Sequence, residues 1–132
     1  MIIALLGGTG YVGSHLVDAL LHNRHTPRLL VRSGSKNRIT RQPPIEQIEG
    51  DVADTAALHR LLQGADAVIY NIGLLREFPA RGISFEALQF TGVKRVAEID
   101  LSQGVRRFIL MSANGVEQSL SAYQRTKLAA EA

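Results

Sequence analysis

One stretch near the start of the chain decides the fold: Ile2-Ile3-Ala4-Leu5-Leu6-Gly7-Gly8-Thr9-Gly10-Tyr11-Val12-Gly13. Its first five residues are all apolar, which is typical of a strand buried on both faces of a parallel sheet. The glycines interrupt the apolar run, and apolar residues then recur at helical spacing, at Val12, Leu16, Ala19 and Leu20. A buried strand, a glycine turn and an amphipathic helix in this order predict the start of a βαβ unit.

The same alternation of short apolar runs and helical patterns continues along the chain. Further strands are predicted at residues 28–32, 45–49, 67–70 and 108–111. Further helices are predicted from Asp54 or Thr55 to Gly64, from Phe85 to Gly104, and from about Ser121 onward. We therefore expect one α/β domain over residues 1–132, a Rossmann-type doubly wound parallel sheet of five strands in the order 3-2-1-4-5.

The fifth predicted strand would form an apolar edge of the sheet, which isolated proteins avoid. Two arrangements would cover it. Either further polypeptide follows, so that residues 1–132 are the N-terminal part of a longer domain, or another chain covers this edge.

Composition narrows the class of protein. The 132 residues include 15 basic and 12 acidic side chains, a net charge of +3, and 45% are hydrophobic, as in an ordinary soluble globular domain. The absence of cysteine excludes a disulfide framework, and the four histidines show no spacing that predicts a metal site. Few aromatic residues argue against a nucleic-acid partner. The run Ile2–Leu6 is too short for a membrane span or a signal peptide, so the expected compartment is the cytoplasm.

The glycine loop is the first candidate binding site. Its glycines fit the pattern G-x-x-G-x-x-G, in which one glycine allows a tight turn, one admits a pyrophosphate and one lets the helix pack on the strand. The N–H groups at the helix start attract the anion. We expect contacts with a dinucleotide from Gly7, Thr9, Gly10, Tyr11, Val12 and Gly13. The alternative is a glycine-rich turn without a ligand.

Arg32 indicates which dinucleotide is bound. In an NAD-binding fold, an acidic residue near the end of the second strand usually binds the ribose 2′-hydroxyl. Here the strand ends Val31-Arg32-Ser33, with no acidic residue. An arginine there favours a 2′-phosphate, so the sequence predicts NADP(H) over NAD(H), with Ser33 assisting. The alternative is a surface arginine at a strand end.

Three residues are candidates for chemistry at the other end of the cofactor. Tyr123 and Lys127 are four apart and would share one face of a helix. The ammonium would lower the pKa of the phenol, so that Tyr123 can exchange a proton with a carbonyl or an alcohol. Ser112 follows the fifth strand, at the edge of the sheet where ligands bind, and can hold the same substrate oxygen. Taken alone, the Tyr123–Lys127 pair is also typical of an ordinary helix surface.

Together these residues resemble the short-chain dehydrogenase/reductase superfamily. The resemblance is to its extended and atypical branches, which include nucleotide-sugar epimerases and dehydratases, NmrA-like proteins and the nucleotide-binding accessory subunit of respiratory complex I. It implies that Ser112, Tyr123 and Lys127 are catalytic, and that Lys127 also binds the nicotinamide ribose. It adds Asp51 and Val52 beside the adenine ring. It also adds Asn71 and Gly73, where the fourth strand meets the cofactor. It further implies a homodimer in which the two long helices pack together, here Phe85 to Leu101 and the helix from Ser121.

The chain departs from the family pattern in ways that leave its function open. Ser112 and Tyr123 are only 11 residues apart, which is short for a sugar epimerase, and the later strands and the substrate lobe of these relatives are missing. Two functions are therefore predicted. One is an NADP-dependent oxidoreductase or nucleotide-sugar epimerase that uses Ser112, Tyr123 and Lys127. The other is a non-catalytic NADP(H)-binding structural, assembly or redox-sensor protein.

Overall fold

The structure, a computed structural model, describes residues 1–32, 45–72 and 90–111, together with Ala130. These residues form a parallel sheet with the strand order β3-β2-β1-β4-β5. Its strands are β1 (Ile2–Leu6), β2 (Thr26–Val31), β3 (Glu46–Glu49), β4 (Ala67–Tyr70) and β5 (Arg107–Leu110). The helices described are α1 (Tyr11–His22), α2 (Thr55–Leu62) and α3 (Gly92–Gln103). The predicted fold class and strand order are confirmed.

The central strand β1 pairs with β2 on one side and with β4 on the other. Alternate residues of the strands face two separate apolar clusters. The cluster on the α1 side comprises Ile3, Leu5, Val17, Leu29, Val31, Ala67 and Ile69. The cluster on the side of α2 and α3 includes Ala4, Leu6, Leu58, Leu61, Val68, Tyr70 and Val96. Because both faces of β1 are covered, its sequence is continuously apolar, as the first prediction assumed.

Strand β2 starts two residues earlier than the sequence predicted, at Thr26 instead of Arg28. Proline at position 27 argues against a strand, since it cannot donate a hydrogen bond to a neighbouring strand. The Thr26 N–H points to β1 and donates to the Met1 carbonyl at 2.8 Å. The Pro27 nitrogen therefore faces the opposite side, where β3 begins only at Glu46, opposite Arg28. No bond between strands is lost there, so the strand tolerates the proline.

Side chains close both ends of α2. At its start, Asp54 Oδ1 accepts from the Ala57 N–H at 3.1 Å, which confirms Asp54 as one of the two predicted caps. At its end, Arg28 Nη1 donates to the carbonyls of Leu61, at 3.0 Å, and Gln63, at 2.6 Å. These bonds satisfy carbonyls that the helix itself leaves without partners and fix α2 against β2.

Helix α3 follows a wider, π-helical turn at Phe90 and Thr91 and ends at Gly104, which has the left-handed φ of 72°. Gly104 was the predicted end of this helix. The predicted beginning at Phe85 lies outside the described residues. So does the predicted terminal helix, apart from Ala130, which is helical and packs against the apolar cluster of α2 and α3.

Among the described strands, β5 forms one edge of the sheet, and Ile109 is 45% exposed there. A cavity of about 900 Å³ lies between α3, β5 and Ala130. Asp100 borders it and is 6% exposed, and its Oδ1 makes no hydrogen bond with the described part of the chain. Burial raises the pKa of the Asp100 carboxyl above its ordinary value.

Loss of the Asp54 cap tests the account of α2. We expect Asp54→Ala to lower the free energy of unfolding by about 1 kcal/mol, because the Ala57 N–H loses its acceptor. Urea denaturation measures this change. Asp54→Asn keeps an acceptor oxygen and should retain most of the stability. Equal losses in both variants would contradict a capping role.

Candidate functional site

The carboxyl ends of β1 to β4 bring most of the predicted cofactor residues to one edge of the sheet. The glycine loop follows β1, Arg32 follows β2, Asp51 and Val52 follow β3, and Asn71 follows β4. Since the strands are parallel, all four connections leave the sheet at the same edge. This is the edge at which doubly wound sheets bind their ligands.

Three backbone segments meet in the glycine loop without space for side chains. Gly7 has a φ of 85°, and a Cβ atom there would overlap the main-chain carbonyl of Asn71. A Cβ atom on Gly13 would overlap the Gly7 carbonyl oxygen. Gly7 therefore provides the turn, and Gly13 allows α1 to pack against the end of β1, as predicted.

Gly10 differs from these two glycines. A Cβ atom on Gly10 would meet nothing nearer than the Gly7 carbonyl oxygen, at 4.0 Å. Its φ of −82° is open to any residue. Packing within the chain therefore does not require a glycine here, whereas close approach of a ligand to the backbone would.

Gly10 also precedes the first turn of α1. It is the N-cap residue but has no side-chain oxygen to accept from the first N–H groups of the helix, and the first turn carries no acidic residue. The N–H groups there add to the positive end of the helix dipole. Tyr11 is 82% exposed and Val12 45% exposed beside them, while Thr9 is half-buried. The geometry of the loop suits a phosphate anion.

Hydrogen bonds fix the connection after β3. The Gly50 N–H donates to the Val31 carbonyl at 2.9 Å, which holds this connection beside the end of β2. Asp51 Oδ1 accepts from the Ala53 N–H at 2.7 Å. Val52 is buried, and its carbonyl accepts from Arg95 Nη1 at 2.7 Å. Asp51 remains exposed at the edge of the sheet.

Sequence analysis missed Arg95. It lies on α3, 43 residues from its acceptor, so no local motif marks it. The sequence shows an arginine between Gly92 and Val96 in a predicted helix. This pattern does not indicate which group the arginine binds.

Asn71 joins the end of β4 to the glycine loop. Its main-chain N–H donates to the Leu6 carbonyl at 3.0 Å, and its side-chain Nδ2 lies 3.5 Å from the Gly7 carbonyl oxygen. The preceding residue, Tyr70, is fully buried. Burial raises the pKa of the Tyr70 phenol, and the nearby Arg95 charge opposes this only in part. Tyr70 therefore stays protonated and serves as a core residue.

Arg32 is exposed directly after the buried Val31, as a ligand for a phosphate would need to be. The remaining predicted site residues lie outside the described part of the chain. They are Ser33, Gly73, Ser112, Tyr123 and Lys127.

The described ranges, residues 1–32, 45–72 and 90–111 with Ala130, contain no group of acidic or histidine side chains that could hold a metal ion. No helix in them is long and apolar enough to cross a membrane.

Comparison with protein families and curated sequences gives a consistent result. A family model described as NAD(P)H-binding matches residues 7–131. A ceramide reductase from Caulobacter vibrioides is 34% identical over 130 residues, which are 98% of this chain and 40% of the reductase. A UDP-glucose 4-epimerase from Klebsiella pneumoniae is 31% identical over 126 residues, covering 86% of this chain and 89% of the epimerase. The chain thus spans well under half of the ceramide reductase.

Solved structures agree on the fold. A short-chain dehydrogenase/reductase superfamily protein from Agrobacterium tumefaciens, with bound NAD, superposes with a TM-score of 0.80 and 24% identity. The match covers 99% of this chain and 43% of that protein. Its sheet and helices correspond to those described here.

Alanine at Gly10 and at Gly13 should have different effects. We expect Gly13→Ala to lower the free energy of unfolding by about 1–3 kcal/mol, because the new Cβ atom displaces backbone. Gly10→Ala should leave stability nearly unchanged and weaken nucleotide binding, since its Cβ atom would occupy the open side of the loop. Urea denaturation and a nucleotide titration separate the two. If Gly10→Ala binds the nucleotide as tightly as the wild type does, the ligand does not approach the backbone closely at Gly10.

Proposed function

The chain belongs to the NAD(P)H-binding family, within the extended branch of the short-chain dehydrogenase/reductase superfamily, and we propose that it binds NADP(H) in preference to NAD(H). The observation that carries the proposal is Arg32, which is exposed at the end of β2, on the same edge as the glycine loop. A guanidinium there can bind a 2′-phosphate through two parallel hydrogen bonds. An acidic residue that would instead bind the 2′-hydroxyl is missing from this strand end.

We infer further that residues 1–132 are the cofactor-binding part of an oxidoreductase or nucleotide-sugar epimerase of the cytoplasm. The similarity to a reductase and to an epimerase supports this class of reaction. The pyrophosphate would bind at the N–H groups that begin α1, with Gly10 allowing its close approach. The adenine would then lie beyond β2, beside Asp51 and Val52 at the end of β3.

The proposed chemistry uses the three residues that the sequence predicts. The nicotinamide ring would supply or accept a hydride. Tyr123 would donate a proton to the substrate oxygen, or remove one from it, as general acid or base. The Lys127 ammonium would lower the pKa of the phenol and bind the ribose, and the Ser112 hydroxyl would hold the substrate oxygen.

The second candidate is a protein that binds NADP(H) without catalysis, for structure, assembly or redox sensing. The short spacing of 11 residues between Ser112 and Tyr123 favours it, because this connection sets how Tyr123 reaches the substrate. The cofactor site would be the same in both cases. The two candidates differ only in whether Tyr123 transfers a proton.

Arg32→Ala tests the choice of cofactor. The wild-type protein should bind NADPH more tightly than NADH, and the variant should lose roughly ten- to hundredfold in affinity for NADPH alone, because only that ligand loses a charge-assisted bond. Ligand fluorescence follows both titrations. Arg24→Ala is a suitable control, since Arg24 is exposed beyond the end of α1. An equal loss for both nucleotides would contradict the assignment of Arg32.

Tyr123→Phe separates the enzyme from the non-catalytic protein. If the protein catalyses a reduction or an epimerisation, the variant should lose about 10²- to 10⁴-fold in turnover and bind NADPH as the wild type does. Single-turnover oxidation of bound NADPH by carbonyl substrates measures the loss for a reduction, and interconversion of sugar-nucleotide epimers with NADP⁺ bound measures it for an epimerisation. NADPH binding without any turnover in the complete wild-type protein would favour the second candidate.

A further inference from the structure

The connection after β3 contains one peptide unit that is held at both ends. Its carbonyl, that of Val52, accepts from Arg95 Nη1 at 2.7 Å. Its N–H, that of Ala53, donates to Asp51 Oδ1 at 2.7 Å. A peptide unit is planar and rigid, so the direction of its carbonyl fixes the direction of its N–H. Arg95 on α3 is thereby connected to the Asp51 carboxylate through a single rigid group.

Hydrogen bonds in such a chain also strengthen one another. A cation at the carbonyl polarises the peptide and makes its N–H a better donor to Asp51. The bond between Arg95 and Val52 is partly buried, where water competes with it less than at the surface. One oxygen of Asp51 is thus held in place, and the residue is exposed at the edge of the sheet.

Arg95 also acts on the end of β4, which β2 and β1 separate from β3 in the sheet. Its charge acts on the phenol of Tyr70, the last residue of β4. The next residue, Asn71, contacts the glycine loop. Arg95 therefore binds the connection after β3 and acts on the residue that precedes the connection after β4.

We propose that Arg95 is a positioning residue for recognition of the adenine base. This inference rests on the proposed function, which places the base beside Asp51. Arg95 does not touch the base. It orients the Val52–Ala53 peptide, which orients the Asp51 carboxylate to accept from the exocyclic amino group of adenine. That carboxylate then distinguishes adenine from a purine that lacks the amino group.

The test compares two ligands that differ only in this group: NADPH and its analogue with unsubstituted purine as the base, in which a hydrogen atom replaces the amino group. The complete wild-type protein should prefer NADPH. In Arg95→Met, which keeps the apolar stem and removes the donors, the ratio of the two affinities should fall about fivefold. Arg95→Gln retains an N–H donor for the Val52 carbonyl and should keep part of the preference. It also serves as the second variant if Arg95→Met does not fold.

Lys94→Met is the matched control. Lys94 is the adjacent cation on α3 and is exposed, so its replacement should leave the ratio unchanged. The variants Asp51→Ala and Asp51→Ala with Arg95→Met should show equally little preference, because Arg95 acts through Asp51.

The outcomes distinguish this inference from the proposed function. If the wild type binds neither ligand, the proposed function is wrong, and this inference is wrong with it. If the wild type prefers NADPH but Arg95→Met weakens both ligands equally, Arg95 has only a structural role and the inference alone is overturned. A wild type that binds both ligands equally also overturns it. A selective loss of the preference, with NADPH still bound, supports it.

Discussion

Backbone atoms from three parts of the chain meet at the carboxyl end of β1, with no room for a side chain between them. The loop at Gly7 lies against the Asn71 carbonyl, and Gly13 lies against the Gly7 carbonyl. These contacts fix the end of β1, the start of α1 and the end of β4 relative to one another. The direction of α1, and with it the direction of its free N–H groups, depends on this contact.

The two halves of the candidate site are held by different means. The glycine loop is positioned by the close packing of backbone, whereas the connection after β3 is positioned by hydrogen bonds that involve side chains. Asp51 binds the Ala53 N–H, Asp54 caps α2, and Arg95 reaches across from α3. A substitution in the glycine loop is therefore destabilising because of steric overlap. A substitution in the connection after β3 is destabilising because a hydrogen-bond partner is lost.

The features that the sequence predicted well are those determined locally. The apolar run Ile2–Leu6 and the glycines after it specify a buried strand and its turn, and Gly104 ends α3 as predicted. The start of β2 could not be predicted, because the cost of Pro27 depends on which neighbour its nitrogen faces. Arg95 could not be predicted either, since its role depends on a contact between distant elements. Ser112, Tyr123 and Lys127 stay predictions.

The composition of the glycine loop affects how nucleotide binding depends on pH. Residues 7–10, Gly-Gly-Thr-Gly, include no titratable side chain, so these four residues add no pH dependence to pyrophosphate binding. A 2′-phosphate, in contrast, takes up a proton with a pKa of about 6, by analogy with other phosphate monoesters. Acidification would therefore weaken the binding of NADP(H) more than that of NAD(H), and the ratio of the two affinities would fall in acid.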